Sequence, residues 1–140
     1  MLKVESNSAS ETRAWGKKLA RQLKGGEIIA LIGNLGSGKT TFVQGLAQGL
    51  GIKDPIRSPT FVGHQIYHGK KFTLHHLDFY RFSPQEAEKS LYLPEIWREK
   101  NNILVIEWGG KVDAYLPSGT KIVEFIYLEP RRRQLIFRQK

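Results

Sequence analysis

A single-domain α/β fold, a mixed β-sheet flanked by helices, is predicted by three stretches of the sequence. Residues 27–32 are a short, almost wholly apolar run suited to a buried strand. Gly33-Asn34-Leu35-Gly36-Ser37-Gly38-Lys39-Thr40 follows directly, and residues 41–50 then carry apolar side chains at helical spacing. Residues 103–108 are a second continuous apolar run, ending in Glu107 and Trp108. Two buried strands of this kind, one feeding a helix through a glycine-rich turn, predict a sheet with parallel strands covered on both faces.

The glycine-rich stretch meets the phosphate-loop pattern, two glycines five apart followed by lysine and a hydroxyl residue. Its glycines permit positive φ and keep side chains away, so successive N–H groups can curl around an anion while Lys39 adds a point charge. Thr40 would offer its hydroxyl to Mg²⁺. The alternative is a glycine-rich turn without a ligand, and the strand, loop, helix order argues against it. The fold expected is therefore P-loop NTPase-like.

From the N-terminus, Ser8 and Glu11 form a capping box, and Trp15, Leu19 and Leu23 recur every four residues towards Gly25-Gly26, where the helix is expected to stop. Arg13, Lys17, Arg21 and Lys24 share the opposite side, a basic face for phosphates or a solvated one. The helix after Thr40 should end near Gly51. Ser58-Pro59-Thr60-Phe61 reads as a loop entering a strand. Residues 60–67 and 72–77 are arms of a hairpin turning at residues 68–71, and the second arm delivers Asp78 at its end. Asp78 is a metal-binding candidate there, or a strand-end turn former. Ser83-Pro84-Gln85-Glu86 starts another helix, irregular beyond Leu91 and interrupted by Pro94. If residues 103–108 lie parallel to residues 27–32, Glu107 reaches the carboxyl edge of the sheet, where open α/β sheets bind ligands. Residues 121–128 and 134–138 are two further strands, and the Pro130-Arg131-Arg132-Arg133 turn between them meets a polyanion or is a solvated tip.

The chain has 140 residues, 40% hydrophobic, which suits one domain with one layered core. No cysteine is present, so disulfides, thiolate metal sites and cysteine nucleophiles are excluded. No apolar run reaches membrane-spanning length and the first residues lack a signal-peptide core, so a cytoplasmic location is expected. The net charge of +9 points to a polyanionic partner. His64, His68 and His75 read as ordinary strand or turn residues, since no ligand cluster accompanies them. The reaction class left is nucleotide binding with phosphoryl transfer to water.

Four motifs in order and spacing resemble the TsaE family of bacterial small ATPases over nearly the whole chain. They are the loop with Thr41-Phe42, Ser58-Pro59-Thr60-Phe61, His76-Leu77-Asp78-Phe79-Tyr80-Arg81, and Ile106-Glu107-Trp108. The resemblance implies one P-loop ATPase domain over residues 1–140 that binds ATP and Mg²⁺ and serves tRNA threonylcarbamoyladenosine (t6A) modification. TsaB and TsaD would be its partners, with tRNA reached through the complex. Carried over by motif, nucleotide contacts would come from Asn34, Leu35, Gly36, Ser37, Gly38, Lys39, Thr40, Thr41 and Trp108. The metal would meet Thr40, Thr60 as a switch-like hydroxyl, Asp78 and Glu107; Lys39, Asp78 and Glu107 would be catalytic. The chain departs from the family pattern at residues 89–94 and at Gly109-Gly110.

Rival classes are separable. A GTPase lacks its Asn-Lys-x-Asp element here and a transporter ATPase its Ser-Gly-Gly signature. A small-molecule kinase would need an acceptor site and an arginine-bearing lid, and a nucleotide-switched RNA-binding module would rest on the basic faces. Arg81 and Arg57 are the internal candidates for an arginine finger.

Overall fold

The computed structural model describes residues 1–34, 36–58, 63–92, 94–108 and 112–140. Seven strands form one sheet: β1 (Leu2–Ser6), β2 (Ile28–Ile32), β3 (His64–His68), β4 (Thr73–Asp78), β5 (Asn102–Trp108), β6 (Lys121–Glu129) and β7 (Arg132–Gln139). Their order across the sheet is β1-β7-β6-β2-β5-β4-β3. The central four strands, β6, β2, β5 and β4, are parallel, and antiparallel pairs close both edges. The mixed sheet flanked by helices is the architecture expected from the sequence.

Both β2 and β5 are buried along their whole length. Alternate residues serve two cores. Ile29, Leu31, Ile103 and Val105 face α1 (Ala9–Ala20) and α2 (Lys39–Gly49), where Phe42, Val43 and Leu46 pack. Ala30, Ile32, Leu104, Ile106 and Trp108 face the other way, against Ala87 and Leu91 of α3 (Pro84–Tyr92) and against Leu116. An apolar strand is stable in the middle of a sheet only when both faces are covered, which is why neither run alternates with polar residues.

Ser8 caps α1 by accepting from the Glu11 N–H at 3.0 Å, as expected, while the return bond of the capping box is shifted by one residue, Glu11 accepting from the Asn7 N–H at 2.7 Å. The helix stops at Ala20, short of Gly25-Gly26. Its last turn tightens, with Gln22 and Leu23 donating to Leu19 and Ala20 carbonyls. The Lys24 and Gly25 N–H groups are taken by the Glu27 carboxylate, so the chain leaves the helix there. Leu23 is nevertheless buried, as its place in the stripe requires. The second helix ends as expected, with Gly51 in the left-handed region at φ +76° just past it. β1 is a strand the sequence reading lacked, short and mostly exposed at the sheet edge. β3 begins at His64, and the residues expected to start it lie outside the described ones. Among the described residues no helix is long and apolar enough to cross a membrane.

The two helices of the first core touch backbone to backbone. A Cβ placed on Gly45 would sit 1.9 Å from the Arg13 carbonyl oxygen, and one on Gly16 would sit 2.2 Å from that of Phe42. No rotamer relieves a clash with main chain, so adding a methyl group must spread the helices at a cost of about 1–3 kcal/mol. We expect Gly45→Ala to lower the urea midpoint accordingly while leaving the slope of the transition unchanged; an unshifted midpoint would refute the close crossing.

Candidate functional site

The phosphate-type loop is strung between two buried elements. At its start the Gly33 N–H donates to the Trp108 carbonyl at 3.3 Å, and within it Ser37 N–H donates to the Asn34 carbonyl at 3.1 Å. Gly36 and Gly38 take φ of +75° and +106°, conformations that side chains oppose, and Gly38 caps α2. The first N–H groups of that helix have no intrahelical acceptor and face the open end of the loop, a ready anion site. Lys39 is 6% exposed, and its Nζ donates to the Gly33 carbonyl at 2.6 Å. Burial pulls its pKa below the ordinary lysine value, opposed by the charges of Glu107 and Asp78.

Those carboxylates arrive from neighbouring parallel strands. Asp78 ends β4 opposite Glu107 of β5, and Glu107 is opposite Leu31 of β2. With Gly36, Gly38, Lys39, Thr40, Thr41, Ser58, Tyr80, Arg81 and Arg133 they line one cleft of about 450 Å³. Asp78 Oδ1 also accepts from the Tyr80 N–H at 2.8 Å, the contact of a strand-end turn former, while the residue borders the cleft. Glu107 is 6% exposed, and its Oε2 accepts from His76 Nε2 at 2.5 Å. A hydroxyl and two carboxylates beside an anion cradle suit a hard divalent cation. Among the described residues no cluster of three or more histidine, cysteine or acidic side chains could hold a metal by itself. The donor set therefore fits Mg²⁺, which is usually shared between one or two carboxylates and bound phosphates.

The site as built differs from the site as expected. Trp108 is 3% exposed and packs edge-on against Phe79 in the core beneath α3, the opposite face from Lys39. Only its main-chain carbonyl reaches the loop, because successive residues of β5 point to opposite faces. Asn34 is exposed and serves the loop through its carbonyl. Leu35 and Thr60, and the Gly109-Gly110 departure, lie outside the described residues. Arg81 is on the cleft rim, and Arg57 is exposed and not part of the lining. Two residues were missed. His76 is fully buried against Glu107; it heads the motif that contains Asp78 and precedes Asp78 by two, hence shares its face, but the sequence reading gives it no role. Arg133 carries no local signal, because its loop partners lie 96 and 97 residues earlier.

An anion-type loop entering a helix, with two acidic side chains at the carboxyl ends of adjoining parallel strands, is the layout of P-loop-like α/β domains, and this chain is one of that class. The family model described as "Threonylcarbamoyl adenosine biosynthesis protein TsaE" matches residues 6–135, and the chain belongs to the TsaE family. It is similar to the Treponema pallidum tRNA threonylcarbamoyladenosine biosynthesis protein TsaE, at 37% identity over 96% of this chain and 98% of the relative. The Synechocystis protein of the same name is 46% identical over 76% of this chain and 69% of its own length. Among solved structures, a crystal structure of Bacillus subtilis YdiB superposes with a TM-score of 0.78 at 29% identity, covering 97% of this chain and 83% of the other.

A histidine network lies on the α3 face of the sheet. His75 Nε2 lies 3.2 Å from Asn102 Oδ1 and His75 Nδ1 lies 3.1 Å from His64 Nε2, with both rings edge-on to Trp97. Neutral rings satisfy every contact, with His64 donating to His75 and His75 to Asn102; a proton on His75 Nδ1 would set two donors face to face. Burial, then the charges of His75 and His76, lowers the His64 pKa below its ordinary 6.5. Burial lowers that of His75 too, with the Asn102 bond opposing and His68 assisting. The unfolded chain therefore takes up more protons below pH 6.5, so acidification favours unfolding there and raising the pH restores stability. We expect the melting temperature to fall between pH 7.5 and 5.5 by more in the wild type than in a His64→Gln/His75→Gln variant; equal falls would refute the assignment.

Proposed function

We propose that this chain binds ATP with Mg²⁺ and hydrolyses it as the ATPase component of tRNA t6A biosynthesis, working in the cytoplasm with TsaB and TsaD. The observation that carries the reading is the convergence of Lys39, Asp78 and Glu107 on one cleft at the N-terminus of α2. Membership of the TsaE family supports the pathway assignment.

The triphosphate lies across the loop, its oxygens accepting from N–H groups at the start of α2. Lys39 exchanges the Gly33 carbonyl for phosphate oxygen, and the incoming negative charge offsets the burial that depresses its pKa. Thr40 and Asp78 would hold Mg²⁺, which when bound would neutralise charge on the outer phosphates. Glu107, with Oε2 fixed by His76, keeps Oε1 to orient the attacking water. Among the described residues none closes over the cleft and Arg81 is exposed at its rim, so water exclusion and added positive charge would fall to partners that cover the site.

Phosphate release with no acceptor present tests the ATPase reading against a kinase. Lys39→Ala is expected to reduce turnover about a hundredfold or more with unchanged circular dichroism. Full activity in that variant would remove the loop from the mechanism. For Asp78→Asn and Glu107→Gln the expected effect is on turnover more than on nucleotide affinity, measured by calorimetry beside the same assay.

A further prediction concerns partners. The isolated chain should hydrolyse ATP slowly and be accelerated when TsaB and TsaD are added together at fixed salt, since a supplied arginine contributes roughly a thousandfold or more. Turnover already in the ordinary enzyme range and indifferent to both proteins would count against the partnered mechanism.

A further inference from the structure

We propose that Arg133 is a positioning residue for the phosphate loop, holding its peptides in the orientation that receives a polyphosphate. The inference rests on the nucleotide reading of the cleft. Arg133 is the second residue of β7, opposite Tyr127 on β6 and Ser6 on β1. Its Nε donates to the Ser37 carbonyl at 3.1 Å and its Nη2 to the Gly36 carbonyl at 3.2 Å. The other arm is anchored at home, with Nη1 donating to the carbonyls of Glu129 and Arg132 at 3.0 and 3.1 Å. The guanidinium carbon lies 4.6 Å from the centre of the Tyr127 ring. A planar, multiply tethered cation thus joins the β6–β7 hairpin to the two peptides between which the loop turns.

The consequence follows from peptide geometry. In a trans peptide the carbonyl and the next N–H point in opposite directions. Drawing the Ser37 oxygen towards Arg133 turns the Gly38 N–H away from the guanidinium, and Gly38 lines the cleft with Lys39 and Thr40. Arg133 itself borders that cleft, so its fixed charge adds to the field on the phosphates. Loop glycines at positive φ cost entropy to order. An external clamp that orders them before ligand arrives raises affinity by lowering that cost. Lysine cannot replace it, since one ammonium on a flexible stem does not span two carbonyls while stacked on a ring.

The test is the calorimetric affinity of the nucleotide-free protein for ADP and ATP in Mg²⁺, for wild type, Arg133→Ala, Arg133→Lys and Arg132→Ala. Arg132 is the control, since it pairs at the surface with Glu5 and Glu129. Arg133→Ala is expected to bind both nucleotides at least tenfold more weakly, Arg133→Lys to recover only a small part, and Arg132→Ala to match wild type. Urea unfolding without nucleotide accompanies each protein; where Arg133→Ala does not fold, Arg133→Lys carries the comparison alone. Wild-type affinity in a folded Arg133→Ala, or complete recovery in Arg133→Lys, overturns the inference. A wild type that binds neither nucleotide overturns instead the reading on which it rests.

Discussion

The parallel pairing of β2 with β5, in register from Ile28 against Leu104 to Ile32 against Trp108, is the contact on which the molecule depends. It makes both strands central, obliges helices to cover both faces, and brings their carboxyl ends to one edge of the sheet. The register matters as much as the pairing. A slip of one residue would turn Glu107 into the apolar core under α3 and swing Trp108 towards Lys39, reversing every side chain of β5 at once. Glu107 itself resists that slip, because a carboxylate turned into the apolar core would lose its His76 partner and be buried unpaired.

The functional edge is assembled from both kinds of strand pairing. Parallel strands deliver Lys39, Asp78 and Glu107 from positions far apart in the chain, while the antiparallel hairpin of β6 and β7 leans on the loop from the side. Phe125 of β6 closes against Gly33 and Gly38, so the loop rests on the aromatic core as well as on Arg133. Ser6 and Thr12, in contact at 2.6 Å, tie β1 to α1 beneath the same hairpin. The edge strands are thus part of the site's support and not an appendage to it.

Features carried by neighbouring residues were readable from the sequence. The strand, loop and helix of residues 27–50, the caps of α1 and α3, the strand ending in Glu107 and the placement of Asp78 depend on contiguous patterns of burial and hydrogen bonding. What stayed hidden depends on distance or on face. β1 is a short polar edge strand whose alternation is too weak to separate from a tail, and it exists because β7 offers it a partner. Arg133 reads as one of three arginines in a turn until the sheet folds it against Gly36 and Ser37. His76 stands in the motif that holds Asp78 without a role of its own, because its partner Glu107 lies on the next strand. Trp108 stands next to a site residue in sequence and on the far side of the sheet in space.

The hydrogen bond from Lys39 to the Gly33 carbonyl has a bearing on discrimination among anions. The loop's ammonium is not a bare cation, since Lys39 is buried and already has an oxygen partner. A monovalent anion such as chloride offers one charge in exchange for a bond it must break. A polyphosphate offers several oxygens at once, enough to engage the helix N-terminus and to draw Lys39 from its internal partner. On the proposed nucleotide reading, the loop's own carbonyl would compete with phosphate oxygens for Lys39, favouring ligands that bring several oxygens over those that bring one.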